Sequence, residues 1–312
     1  MNPAKIHILI EPTAPGVVGM KNLPRKIMAL LEMTKPTQLL LLSITMFGAY
    51  FTAGGGVDVE RLVLLALTAL GSAGGVTALN MYLEEDIDRA MPRTRTRPLP
   101  RGSLSRGEAL FGIVLLIVIG TISSSLINRW VLLTTLIGLY FDIIAYTELF
   151  KRHTAWAMLA GSVAGSMPAL GGWAAGKGYI DLPGIFMAGM VYVWQPLHVS
   201  FIHYAYEEDY ERAGIPTLHR AIGETWYGLL SLFSILSLLI ISWLFVFIEG
   251  YGYLTMAIAT IVGIMAIRAA RGFLRSPNRE NARRMIKLAS PVLGIIFIFL
   301  PIEKIILNTI IR

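Results

Sequence analysis

Nine stretches of about twenty mostly apolar residues, the length that spans a bilayer as a helix, set the limits on what this chain can fold into. They lie near 38–55, 61–80, 108–127, 130–148, 155–175, 184–205, 225–248, 252–270 and 286–311. Segments this long predict helices: an all-α polytopic membrane protein, a bundle of nine transmembrane helices in one domain over 1–312, with 1–25 as an N-terminal extension. The third stretch is weakened at its end by ISSS and Asn128, and the ninth carries Pro291, Pro301, Glu303 and Lys304. A composition 55% hydrophobic and 15% charged agrees with a membrane chain rather than a soluble domain.

Charge then orients the bundle. If all nine stretches cross, every lysine and arginine except Arg61, Arg129, Lys177, Lys304 and Arg312 falls on one face, shared by the N-terminus and the loops after segments two, four, six and eight. The positive-inside bias puts that face in the cytoplasm and the C-terminus opposite. It also accounts for the net charge of +7 without nucleic acid, since no soluble basic module remains between the spans. Near the N-terminus, Lys5 is followed by only a short apolar run before Glu11 and Pro12, too little for a signal-peptide core, and organelle-type Arg/Ser enrichment is missing. A prokaryotic inner membrane is the expected location. With no cysteine, disulfides and thiolate metal sites are excluded.

The two long connections on the cationic face carry the polar chemistry. The first reads NMYLEEDIDRAMPRTRTRP over 80–98. Asn80, Glu84 and Asp88 are four residues apart, so on a helix they advance about 40° per step and form one polar stripe roughly 12 Å long. Oxygen ligands of this kind suit Mg²⁺, which takes one or two carboxylates together with substrate phosphates. Pro92 then ends the helix, and an extended, proline-bounded loop supplies Arg93, Arg95, Arg97 and Arg101, whose guanidinium groups suit phosphate. Carboxylates for a metal thus lie beside cations for the anion that metal would bridge. The plainer alternative is a solvated loop whose charges neutralise one another.

The second connection follows segment six, where Pro196 is expected to kink the helix before Glu207, Glu208, Asp209 and Glu211. An even number of spans separates the loops, so they share a face and can converge. Glu207, Glu208 and Glu211 also read as a solvated helix end, while Asp209 is the more particular residue. His198 and His203 lie in the apolar part of segment six and read either as packing residues or as contacts to a polar substrate. Lys35, Lys151 and Arg152 sit at helix ends, where cations snorkel or bind phosphate. GSVAG at 161–165 predicts close helix packing, and the basic run at 268–287 a membrane-surface anchor.

At these residues the chain resembles the UbiA superfamily of intramembrane prenyltransferases. The superfamily's Asn-x-x-x-Asp-x-x-x-Asp motif appears as Asn80, Glu84 and Asp88, and MPRTRTRPLPRG is similar to its Met-x-Arg-Thr-x-x-Arg-Pro signature. YTELFKRHT at 146–154, AGSMPALGGW at 164–173 and WQPLH at 194–198, upstream of DYERAGIP, are similar to the branch that farnesylates haem. The resemblance runs from TKP at 34–36 to about 216, with only hydropathy in common beyond. Glu84 stands in place of the usual aspartate, and Thr37, Ala157, Ala169, Leu197, Val199 and Ser200 also depart from the branch. The diphosphate half therefore matches more fully than the acceptor half.

What the resemblance implies is farnesyl transfer from farnesyl diphosphate to a vinyl carbon of haem B in a cytoplasm-facing cavity. Mg²⁺ would be held by Asn80, Glu84, Asp88 and Asp209; Arg93, Arg97, Lys35, Lys151 and Arg152 would stabilise the departing diphosphate, and Tyr146, Trp194 and His198 would orient the acceptor. A different acceptor, a quinone precursor or a lipid, is the alternative within the superfamily. A secondary transporter is the alternative outside it, disfavoured because the acids gather at one face rather than mid-span.

Overall fold

The computed structural model describes residues 23–310, and among these it is helical throughout, with no strand. The expected N-terminal extension lies almost wholly outside the described residues, as does Arg312. In chain order the helices are α1 (Leu23–Met33), α2 (Pro36–Thr52), α3 (Val59–Leu83), α4 (Glu85–Ala90), α5 (Arg106–Ile127), α6 (Arg129–Phe150) and α7 (Ala157–Lys177). They continue with α8 (Leu182–Ala205), α9 (Glu207–Arg212), α10 (Leu218–Ile222), α11 (Glu224–Glu249), α12 (Tyr253–Arg275) and α13 (Arg279–Ile310). Seven of them, α3, α5, α6, α8, α11, α12 and α13, are long and apolar enough to cross a membrane. An eighth span results if α1 and α2, bent by 58° at their junction, count as one. The chain is an integral multi-pass membrane protein. The expected count of nine also needs α7, whose glycines and serines lower its hydropathy although it packs against α2, α6 and α8.

Helix ends follow from local chemistry. Asp58 accepts from the backbone N–H of Arg61, Ser105 and Glu108 form a reciprocal capping box, and Asn128 accepts from the N–H groups of Trp130 and Val131 where α5 turns into α6. Gly178 and Gly250 close α7 and α11 in the left-handed conformation.

Packing closes the bundle around an interior. α2 packs on α7, α7 on α8, α8 on both α11 and α13, and α13 returns to α2. Small residues permit the closest approaches: a Cβ at Gly172 would lie 1.9 Å from the Met46 carbonyl oxygen, and one at Gly48 would lie 2.2 Å from that of Phe297. In GSVAG, Gly165 leaves room for Gln195, as close packing required. Buried Trp173, Phe245 and Phe297 anchor one apolar cluster, and Phe201, Tyr227 and Phe273 another. Pro168 and Pro196 lie within helices that continue through them.

Two stretches are π-helical, Ala69–Gly74 in α3 and Tyr140–Phe150 in α6. In a π-helix the bonds run i→i+5, so residues five apart share a face. The Lys151 N–H donates to the Tyr146 carbonyl at 2.8 Å, which continues that spacing past the end of α6.

Candidate active site

α3 ends at Glu84, whose backbone departs from helical geometry, and α4 begins at the next residue. The ladder still bridges the break: Glu84 N–H donates to Asn80 and Asp88 N–H to Glu84, both at 2.9 Å. Asn80, Glu84 and Asp88 consequently keep a common face and line one cavity of about 720 Å³. Met91, held extended before Pro92, stops α4. Contrary to the extended loop expected, residues 92–101 wind through tight turns, Thr94 N–H and Arg95 N–H both donating to the Met91 carbonyl. The Thr94 hydroxyl also donates to the Asp88 carbonyl at 3.0 Å. These short-range bonds fold the loop back so that Arg93 and Arg97 line the cavity, whereas Arg101 turns away to Glu32.

Two inward carboxylates of the first loop each meet a cation. Glu84, 6% exposed, is paired with Lys151, and Asp88, 2% exposed, with Arg97 at 2.5 Å. The other Asp88 oxygen, Oδ2, is buried without a hydrogen-bond partner, an acceptor whose lone pairs are left for a ligand. Burial pulls the Lys151 ammonium down, but the Tyr146 phenol and the Glu84 carboxylate outweigh it, so its pKa ends above the ordinary lysine value. Asp86 and Glu85 lie outside this ring: Arg152 grips Asp86 with two bonds of 2.8 Å and Arg89 holds Glu85, lowering both carboxyl pKa values.

From the second loop, Asp209 lies 4.0 Å from Arg93, and Tyr206 stacks beneath the same guanidinium at 5.2 Å. Asp209 does not itself line the cavity, although Tyr210 and His203 do. Glu207 bonds His219 and Arg220, Glu208 bonds Arg279, and Glu211 bonds Arg220. Farther in, Trp194 stacks on His198 at 4.5 Å, and His198 Nδ1 lies 3.2 Å from the Ser290 hydroxyl of α13. Beyond these the walls are apolar, with Leu42, Met46, Val191, Leu293 and Phe297. A basic and acidic pole thus opens into a greasy chamber, a shape fitted to an amphiphile with an anionic head.

Comparison with known proteins decides the family. The UbiA prenyltransferase family matches residues 41–291. The chain belongs to it. A protohaem IX farnesyltransferase of Aeropyrum pernix is 46% identical over 284 residues, covering 91% of this chain and 94% of the relative. A solved digeranylgeranylglyceryl phosphate synthase superposes with TM-score 0.75 at 19% identity, covering 89% of this chain and 98% of that one. A UbiA homologue from Archaeoglobus fulgidus, bound to GPP and Mg²⁺, superposes at 0.55 with 14% identity, covering 86% and 98%. These two likenesses establish a shared fold.

Of the residues expected from the sequence to form a UbiA site, Lys35, Asn80, Glu84, Asp88, Arg93, Arg97, Tyr146, Lys151, Trp194 and His198 line the one cavity. Arg152 does not, because it is engaged by Asp86 at the surface. Among the described residues no three His, Asp or Glu side chains come together as an ion's shell. Glu84, Asp88 and Asp209 each face a basic side chain. Sequence reasoning missed Asp142, Thr147, Gln195 and Ser290. A carboxylate inside an apolar segment was the available signal for Asp142.

Proposed function

We propose that this UbiA enzyme transfers a farnesyl group from farnesyl diphosphate to a vinyl carbon of haem B, with its active-site loops in the cytoplasm and nine helices crossing a prokaryotic cell membrane. The observation that carries the reading is the cavity's polarity, Arg93, Arg97, Lys35 and Lys151 at one end and hydrocarbon side chains at the other. The diphosphate head belongs at the first and the isoprenoid tail at the second. The nine-helix count takes α7 as a span beside the eight; the cation-rich loops supply the orientation.

Asn80, Glu84 and Asp88 would hold Mg²⁺, with Asp209 approaching from the second loop. Bound there, Mg²⁺ supplies charge neutralisation for the diphosphate. Asp88 Oδ2 fits that role as a buried acceptor with no protein donor. Arg93, Arg97 and Lys151 stabilise negative charge as the allylic C–O bond breaks, and Lys35 adds to the positive field there, while Arg152 is held outside the cavity by Asp86. A diphosphate taking over Lys151 and Arg97 frees Glu84 and Asp88 from their ion pairs. Walls of leucine, methionine and phenylalanine keep water from the allylic cation until the vinyl carbon attacks it. Tyr146, Trp194 and His198 orient the acceptor; addition of water to the resulting cation, with loss of a proton, gives the hydroxyethylfarnesyl product.

Membranes containing the protein, given farnesyl diphosphate, Mg²⁺ and haem B, should yield a haem heavier by one farnesyl and one hydroxyl group on mass analysis. Unchanged haem together with a prenylated quinone precursor or lipid would reassign the acceptor. Solute flux into liposomes without diphosphate release would overturn the enzyme reading.

A further inference from the structure

Asn80 is held at both ends of its amide by the π-helical part of α6. Its Nδ2 donates to Asp142 Oδ1 at 2.8 Å, and its Oδ1 accepts from the Thr147 hydroxyl at 2.9 Å. Asp142 and Thr147 are five residues apart, so the π-helical spacing turns them to one side, and the Thr147 hydroxyl also reaches the Asp142 carbonyl at 2.9 Å. Had Tyr140–Phe150 been an ordinary α-helix, residues five apart would diverge by about 140° and could not grip one side chain together.

The chemistry of the two partners gives the amide a direction. The Asp142 carboxyl oxygen Oδ1 accepts from Nδ2, which sets that end of the amide toward Asp142. With Nδ2 committed to Asp142, the Oδ1 end faces Thr147 and accepts from its hydroxyl, whose single hydrogen is shared with the Asp142 backbone carbonyl. A half-turn of the amide would set the Asn80 oxygen against the Asp142 carboxyl oxygen and lose the bond of 2.8 Å there. One lone pair of Oδ1 and one hydrogen of Nδ2 remain, at a residue that lines the cavity.

We propose that Asp142 and Thr147 are positioning residues that fix which end of the Asn80 amide is presented to the metal-bound prenyl diphosphate. The proposal rests on the diphosphate reading above and adds residues that the family motif does not include. Partners one shell beyond a metal ligand characteristically govern metal affinity by about 10–100-fold.

The test uses the full chain in detergent, with farnesyl diphosphate binding followed calorimetrically as Mg²⁺ is varied. Thr147→Val keeps size and removes the donor, Asp142→Asn keeps size and removes the directional preference, and Thr147→Ser retains the hydroxyl. The first two are expected to raise the Mg²⁺ concentration for half-maximal binding by about tenfold, with Thr147→Ser close to wild type and haem B binding the same in all. Thermal unfolding identifies any variant whose fold has failed; the valine and serine variants then decide between them. A Mg²⁺ requirement within twofold of wild type for both folded variants, while Asn80→Ala loses it, would overturn the clamp alone. Wild-type protein that binds no prenyl diphosphate would instead sink the functional reading on which the clamp depends.

Discussion

The loop after α3 and the loop after α8 each place four carboxylates beside a helix end, yet their neighbours differ. In the first, Glu84 and Asp88 are buried against Lys151 and Arg97 on the wall of the cavity. In the second, Glu207, Glu208 and Glu211 pair with His219, Arg220 and Arg279 away from the cavity, and only Asp209 turns toward the first loop, through Arg93. Density of acid therefore does not identify a site. What distinguishes the inward acids is desolvation: a buried charge is tolerated only when paired, and that same pairing can be exchanged for a charged ligand.

The sharpest break of this contrast is Asp88→Asn. Farnesyl transfer is expected to fall by about 100-fold or more, the scale of one lost electrostatic stabiliser, measured as haem product per unit of folded protein. Lys151→Met comes next, because it strands buried Glu84; about 3 kcal/mol of stability should be lost, seen as a lowered unfolding midpoint in detergent. Adding Glu84→Gln should restore that midpoint without restoring turnover. Within the second loop the two kinds of acid should separate: Asp209→Ala lowers turnover by about tenfold, whereas Glu208→Ala and Glu211→Ala change turnover less than twofold and stability by less than about 1 kcal/mol. Equal losses from all three would erase the distinction.

The smallest effect is a pH dependence. The His219 ring and then Arg220 hold the Glu207 carboxyl below its usual pKa. A depressed carboxyl stabilises the fold at pH above its unfolded value, and that contribution disappears as pH falls through the lower folded value. The unfolding midpoints of wild type and Glu207→Gln should accordingly differ near neutral pH and converge as the solution is acidified below about pH 4.

Much of the molecule was legible in one dimension. Apolar runs located every long helix, and Pro92 located the end of α4, because hydropathy and proline sterics act over short stretches of chain. The four-residue spacing of Asn80, Glu84 and Asp88 correctly put them on one face, since a hydrogen bond still crosses the break at Glu84. The arginine loop was misread as extended because nothing in PRTRTRP announces that Met91 and Asp88 carbonyls will collect its donors. Asp142 and Thr147 escaped because a 3.6-residue period does not bring them together and a π-helix does.

By itself, then, the sequence determined a multi-pass helical membrane protein with an acid-and-arginine loop, properties set by neighbours along the chain, and its motifs resembled those of UbiA. Only the tertiary structure decided which charges face the cavity. Asn80 meets Asp142 across 62 residues and Glu84 meets Lys151 across 67. Partners so distant are chosen by how helices pack, and the free energy of a buried charge depends on who stands beside it.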